Sequence, residues 1–146
     1  MRVYLDLCSI QRPLDTTSQV RVAVEAEAIL GVLALCEMGR LDLVASEALV
    51  FEAERNPNPA RKRYAFRVLA RAKFFVRTDA GVETRARNLV SSGIRALDAL
   101  HLASAEAIQA DFFCTCDDRL LKRAKENGVP PTRSVSPLEL IAEVTP

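Results

Sequence analysis

The chain has no tryptophan, one histidine and five scattered glycines, and each shortage removes a class of chemistry. A lone imidazole cannot build a histidine-rich zinc site. The glycines supply neither G-x-G-x-x-G nor a P-loop, so no backbone cradle for a dinucleotide or a nucleoside triphosphate is present. No stretch approaches the roughly 18 uninterrupted apolar residues of a membrane span. The amino terminus, "MRVYLDLCSI", meets an acid at Asp6 before a signal-peptide core could form, which predicts a soluble, unexported, cytoplasmic protein. The four cysteines, Cys8, Cys36, Cys114 and Cys116, lack the spacing of metal ligands and read as small buried side chains.

What is there is a chain of 146 residues, 49% hydrophobic and 27% charged, with a formal net charge of +1. That is enough for one domain with a real core, and it is incompatible with a disordered class. Short β-type runs alternate with helical patterns. "RVYLDL", "LDLVAS", "KFFVRT", "DFFCTC" and "TRSV" read as strands. The intervening stretches read as helices, among them one from Gln19 to Gly39 and one through "ARKRYAFRVLARA". "SIQRP" reads as a break after the first strand. "SPLE" near the carboxyl end carries a full helix-start signal, with Ser136 at the cap, Pro137 at the first position and Glu139 placed for a capping box. Alternation of this kind predicts a single three-layer α/β/α sandwich around a mainly parallel sheet.

In open sheets of this class, sites lie beyond the carboxyl ends of the strands. Asp6 ends the first strand, Asp117 and Asp118 follow the fourth, Glu52 falls in the helix after the second, and Asp98 sits in the first turns of "ALDALHLASA". Carboxylates brought together repel unless a cation compensates. An oxygen-only ligand set suits Mg²⁺ or Mn²⁺ better than zinc, and such ions activate water in phosphodiester cleavage. Asp15, Asp42, Asp79 and Glu83 read instead as solvated or capping residues. His101, three residues after Asp98 on an apolar helix, reads as a packed, hydrogen-bonded histidine, not a ligand or a base.

Four stretches, "VYLD", "SEALVFEAER", "ALDALHLASA" and "TCDDRLLKRA", occur in the order of the acidic motifs of the PIN domain nucleases. The chain resembles that family, which includes the VapC-type ribonuclease toxins of toxin-antitoxin pairs. The resemblance implies a metal-dependent endoribonuclease with Asp6, Glu52, Asp98 and Asp117 as the catalytic acids. Asp6, Asp98 and Asp117 would hold Mg²⁺ or Mn²⁺. It further implies Thr115 as a supporting polar residue, an RNA substrate, a cognate antitoxin and a homodimer. The family's first motif often carries Thr and then Ser or Asn after its aspartate, where Leu7 and Cys8 stand here; Ser9 is expected to supply the hydroxyl instead. Asp118 either adds to the pocket or, the preferred reading, caps the following helix.

Between Glu54 and Asp79 there is no acidic residue, yet eight of the chain's twenty basic residues fall there. Arg63, Arg67 and Arg71 recur at i, i+4 and predict a basic stripe down one helix. Together with Arg55, Arg61 and Lys62 it is a candidate RNA-binding face. A solvated helix face is the plainer alternative. Two further readings compete for the acids. One is a PIN-like scaffold that binds RNA or protein without cutting. The other is a Mg²⁺-dependent phosphoaspartyl domain, whose phosphatase type requires a second Asp where this chain has Cys8.

Overall fold

Val3, Tyr4 and Leu5 are all fully buried, as are Val44 and Phe113 on the strands to either side. A strand with no solvated face requires cover on both sides of its sheet. The computed structural model describes residues 1–145 and shows how that cover is built. Strands β1 (Arg2–Leu5), β2 (Asp42–Ser46), β3 (Phe74–Val76), β4 (Phe112–Cys114) and β5 (Arg133–Val135) form one parallel sheet in the order β3-β2-β1-β4-β5. Tyr4 pairs with Val44 on one side and Phe113 on the other. The order reverses at β1, so the crevice between the ends of β1 and β4 is the topological switch point where ligands bind in sheets of this kind.

Eight α-helices cover the described sheet, giving the α/β/α sandwich expected from the sequence: α1 (Leu7–Gln11), α2 (Val20–Glu37), α3 (Glu47–Glu54), α4 (Pro59–Leu69), α5 (Ala80–Ser91), α6 (Ala96–Ala107), α7 (Asp118–Asn127) and α8 (Pro137–Val144). Helix α6 packs on β2, β3 and β4 and carries α5 on its flank, while α8 packs on β4, β5 and α2. The starts follow from local chemistry. Ser46, Asn58 and Asp79 each accept a backbone N–H of the helix they precede, and Ser136 with Glu139 forms the expected capping box.

Two departures from the sequence reading have local causes. "SIQRP" is not a break: Asp6 ends the strand at Leu5 and caps α1, its Oδ1 accepting from the Ser9 amide at 3.0 Å, and one 3-10 turn follows at Arg12–Leu14. Helix α4 stops at Leu69, because after two turn bonds the Lys73 amide donates to Leu43 O and the chain joins the sheet. Arg71 therefore lies beyond the helix, and the stripe Arg63–Arg67–Arg71 does not run down one element.

Among the described residues, the hydroxyl of Ser104 in α6 is the one buried side-chain polar atom without a hydrogen-bond partner. Its desolvation is uncompensated. Ser104→Ala is expected to stabilise the fold by about 1 kcal/mol, raising the thermal midpoint by about 2–4 °C. A lower midpoint in a thermal melt would show that the hydroxyl has a partner in solution.

Candidate active site

Asp6 and Asp117 are positioned by the same local device. Each follows a strand at the switch point and caps the next helix, Asp117 through Oδ1 accepting from the Leu120 amide at 3.0 Å. The Asp6 amide donates to Cys114 O at 3.1 Å, tying the ends of β1 and β4 together. Thr115 completes the junction: its Oγ1 accepts from the Asp117 amide at 3.1 Å, and it lies close enough to Asp6 to favour the ionised carboxylate. The expected support of Asp6 by the Ser9 hydroxyl is not what the structure has. That hydroxyl is buried and donates to Cys114 O at 3.3 Å. Asp6 is held instead by the Ser9 amide and by the Cys8 thiol, which donates to Oδ1 at 3.1 Å. Cys8 is exposed, not a buried small residue, and all four cysteines are free thiols.

Glu52 reaches the site through a buried relay. Ser46 Oγ accepts from the Leu49 amide at 3.1 Å. The Tyr4 hydroxyl lies 2.6 Å from both Ser46 Oγ and His101 Nδ1, and His101 Nε2 lies 2.9 Å from Glu52 Oε1. One assignment satisfies every partner: Ser46 donates to Tyr4, Tyr4 donates to Nδ1, and a neutral imidazole donates through Nε2–H to the Glu52 carboxylate. Burial pushes the Tyr4 phenol well above its ordinary value, so it remains a donor. His101 is thus the packed histidine expected from the sequence, and its work is to aim Glu52.

Asp98, in the first turn of α6, differs from the others. Among the described residues it has no hydrogen-bond or ion-pair partner. Its carboxyl is pushed up to about 6, first by burial and then by Asp6, Glu52 and Asp117. Burial likewise raises Asp6, against the Cys8 and Ser9 hydrogen bonds that lower it. The four acids therefore share one electrostatic environment. Asp118 stands outside it: both of its oxygens accept from Arg21 at 2.7 Å. The cap of α7 is Asp117, so neither the pocket role nor the capping role expected of Asp118 holds, because adjacent residues at a helix start point apart.

The expected basic face is dispersed. Arg61 pairs with Asp15 at 2.9 Å, Arg71 pairs with Glu37, and Arg55 stacks over Phe51. Lys62 is half-buried, and Arg63 and Arg67 are exposed. Arg95 and Arg119 went unnoticed in the sequence, although their spacing of three residues from Asp98 and two from Asp117 is the signal that would have found them. The same cleft that Asp98 and Asp117 line is also lined by Arg95, Arg119 and Arg123.

The family model of the PIN domain matches residues 13–126. The chain belongs to the PIN domain family. The match includes Glu52, Asp98 and Asp117, while Asp6 precedes it. Among solved structures the PIN domain here is similar to FitAcB from Neisseria gonorrhoeae, at 17% identity over 93% of this chain and 98% of that one, with a TM-score of 0.61. It is also similar to VapBC2 from Rickettsia felis bound to a DNA fragment from their promoter, at 13% identity over 93% and 98% of the two chains, with a TM-score of 0.61. At these identities the likeness is one of fold. No curated protein matches the chain.

A raised Asp98 carboxyl sets the sign of a pH effect. The folded protein holds that proton more tightly than the unfolded chain, so the contribution of Asp98 to stability falls as pH rises from about 4 to about 6 and stays lost above. Asp98→Asn should raise the thermal midpoint of metal-free protein at pH 7.5 and flatten this part of its pH profile. Mg²⁺ or Mn²⁺ should raise the wild-type midpoint at pH 7.5 more than at pH 5, and should do little for Asp98→Asn. Equal metal shifts in both proteins would contradict this grouping of charges.

Proposed function

We propose that this PIN domain is a metal-dependent endoribonuclease of the VapC toxin type, hydrolysing RNA phosphodiester bonds. The observation that carries the reading is the partnerless Asp98 carboxylate, lifted first by burial and then by the Asp6, Glu52 and Asp117 charges. Such a cluster fits a divalent cation in two respects. Its donors are all carboxylate oxygens, as Mg²⁺ and Mn²⁺ prefer, and the charges that raise Asp98 beyond its burial are three carboxylates. Among the described residues no group of three His, Cys, Asp or Glu side chains is placed to hold an ion, so binding would require the carboxylates to draw together around it.

Asp6, Asp98 and Asp117 are the residues that would hold the ion, and Glu52 borders it. A bound divalent cation supplies Lewis acidity and a nucleophilic water at neutral pH. The chain's own part is orientation. The Ser9 amide, the Cys8 thiol and Thr115 fix Asp6, the start of α7 fixes Asp117, and the His101–Tyr4–Ser46 relay fixes Glu52. With one Glu52 oxygen turned to His101, the other is available to accept a proton from an attacking water. A cognate antitoxin and a homodimeric state belong to the same reading and are supported by the resemblance to VapC-type toxins.

Two experiments test this. A labelled RNA pool with Mg²⁺ or Mn²⁺ should be cut by wild type, and the cleavage should vanish in EDTA and fall at least about a thousandfold in Asp98→Asn. A protein that binds RNA yet leaves it intact under every metal would instead be a non-cutting scaffold. Tyr4→Phe removes the donor to His101 and should cost about 1–3 kcal/mol of stability while lowering kcat. Unchanged kcat and stability would detach Glu52 positioning from the relay.

A further inference from the structure

The cleft beside the acids carries a charge pattern that the nuclease reading leaves unused. It is a small, open cleft in which Asp98 and Asp117 share the lining with Arg95, Arg119 and Arg123. Some exposed arginines, Arg21, Arg71, Arg87 and Arg133, pair with carboxylates, while others, such as Arg63 and Arg67, have no ion pair among the described residues. Here, among the described residues, none of the three forms an ion pair, and Arg95 and Arg119 form no side-chain hydrogen bond.

Arg123 is held in place by backbone. Its Nη1 donates to Ser92 O at 3.2 Å, and a Cβ on Gly93 would stand 2.5 Å from that nitrogen. Gly93 also has φ of +95°, so glycine is needed both for the turn and for the approach of the guanidinium. Arg95 precedes α6 without making a capping bond. Guanidinium groups without carboxylate partners, beside a pocket for a cation, form a site for a second anionic group of the substrate.

We propose that Arg95, Arg119 and Arg123 bind the RNA backbone phosphate adjacent to the one being cut, so that the strand enters over the starts of α6 and α7. This rests on the nuclease reading above. Arg95 and Arg119 are positioning residues: they hold the polyanion that four carboxylates would otherwise repel, and they set which phosphate reaches the acids.

The test is fluorescence anisotropy of a short labelled single-stranded RNA with the full chain in EDTA, across a salt series, alongside cleavage in Mn²⁺. Arg95→Ala and Arg119→Ala should each weaken binding about three- to tenfold. The double variant should lower the slope of log K against log salt by about 0.7, the value for one phosphate contact on a single strand. In cleavage their KM should rise with kcat largely kept. Arg119→Lys should retain the salt slope and lose part of the affinity. Both arginines are exposed and unpaired, so thermal midpoints should stay at the wild-type value.

A double variant that binds with wild-type affinity and slope would overturn the cleft assignment, and if it also cuts RNA the nuclease reading survives. Binding that depends on the two arginines, in a protein that never cuts RNA, would leave the cleft standing and remove the nuclease reading. No RNA binding by wild type would overturn both.

Discussion

Like-charge repulsion at the ends of β1 and β4 is the constraint on which the rest of the site depends. Asp6, Glu52, Asp98 and Asp117 come from positions far apart in the chain, and the parallel sheet with its reversal at β1 brings them to one crevice. Burial makes each charge more expensive, and proximity adds to the cost. Three of the acids are held by hydrogen bonds that favour their position, through two helix starts and one buried relay. Asp98 is held by its helix alone, and it is the one whose carboxyl rises to about 6. The fold thus leaves Asp98 without the hydrogen bonds that offset the same burial at Asp6.

Much of the surrounding structure serves that arrangement. The Ser46 hydroxyl caps α3, and it also ends a line of buried hydrogen bonds through Tyr4 and His101 to Glu52. Local helix initiation and the aim of a catalytic acid are consequently one network, and Tyr4, at the centre of the sheet, cannot be replaced without disturbing both. Arg95, Arg119 and Arg123 line a cleft that Asp98 and Asp117 also line. Negative and positive charge therefore share one opening.

The parts legible in the sequence are those governed by short-range chemistry. Apolar β-runs alternating with capped helices gave a parallel three-layer fold, and the positions of Asp6, Asp98 and Asp117 relative to strand and helix starts followed from their neighbours. Less legible was whatever depended on contacts across the fold. Asp6 does not read as a helix cap when "SIQRP" reads as a break, and the cap of α7 falls to Asp117 instead of Asp118, whose partner Arg21 is remote in sequence. The stripe Arg63–Arg67–Arg71 failed where β3 pairing ends α4 early. Composition favoured that cluster because it is dense, whereas Arg95, Arg119 and Arg123 are scattered and meet only when α6 and α7 are placed side by side.

The most direct measurement is calorimetric titration of Mn²⁺ into metal-free protein at pH 7.5, for wild type and Asp98→Asn. Saturable binding by wild type that is lost or greatly weakened in the variant is the expected result, since Asp98 bears the charge that the ion relieves. Failure of wild type to bind Mn²⁺, or equal binding by both proteins, would contradict a carboxylate cluster built around a cation.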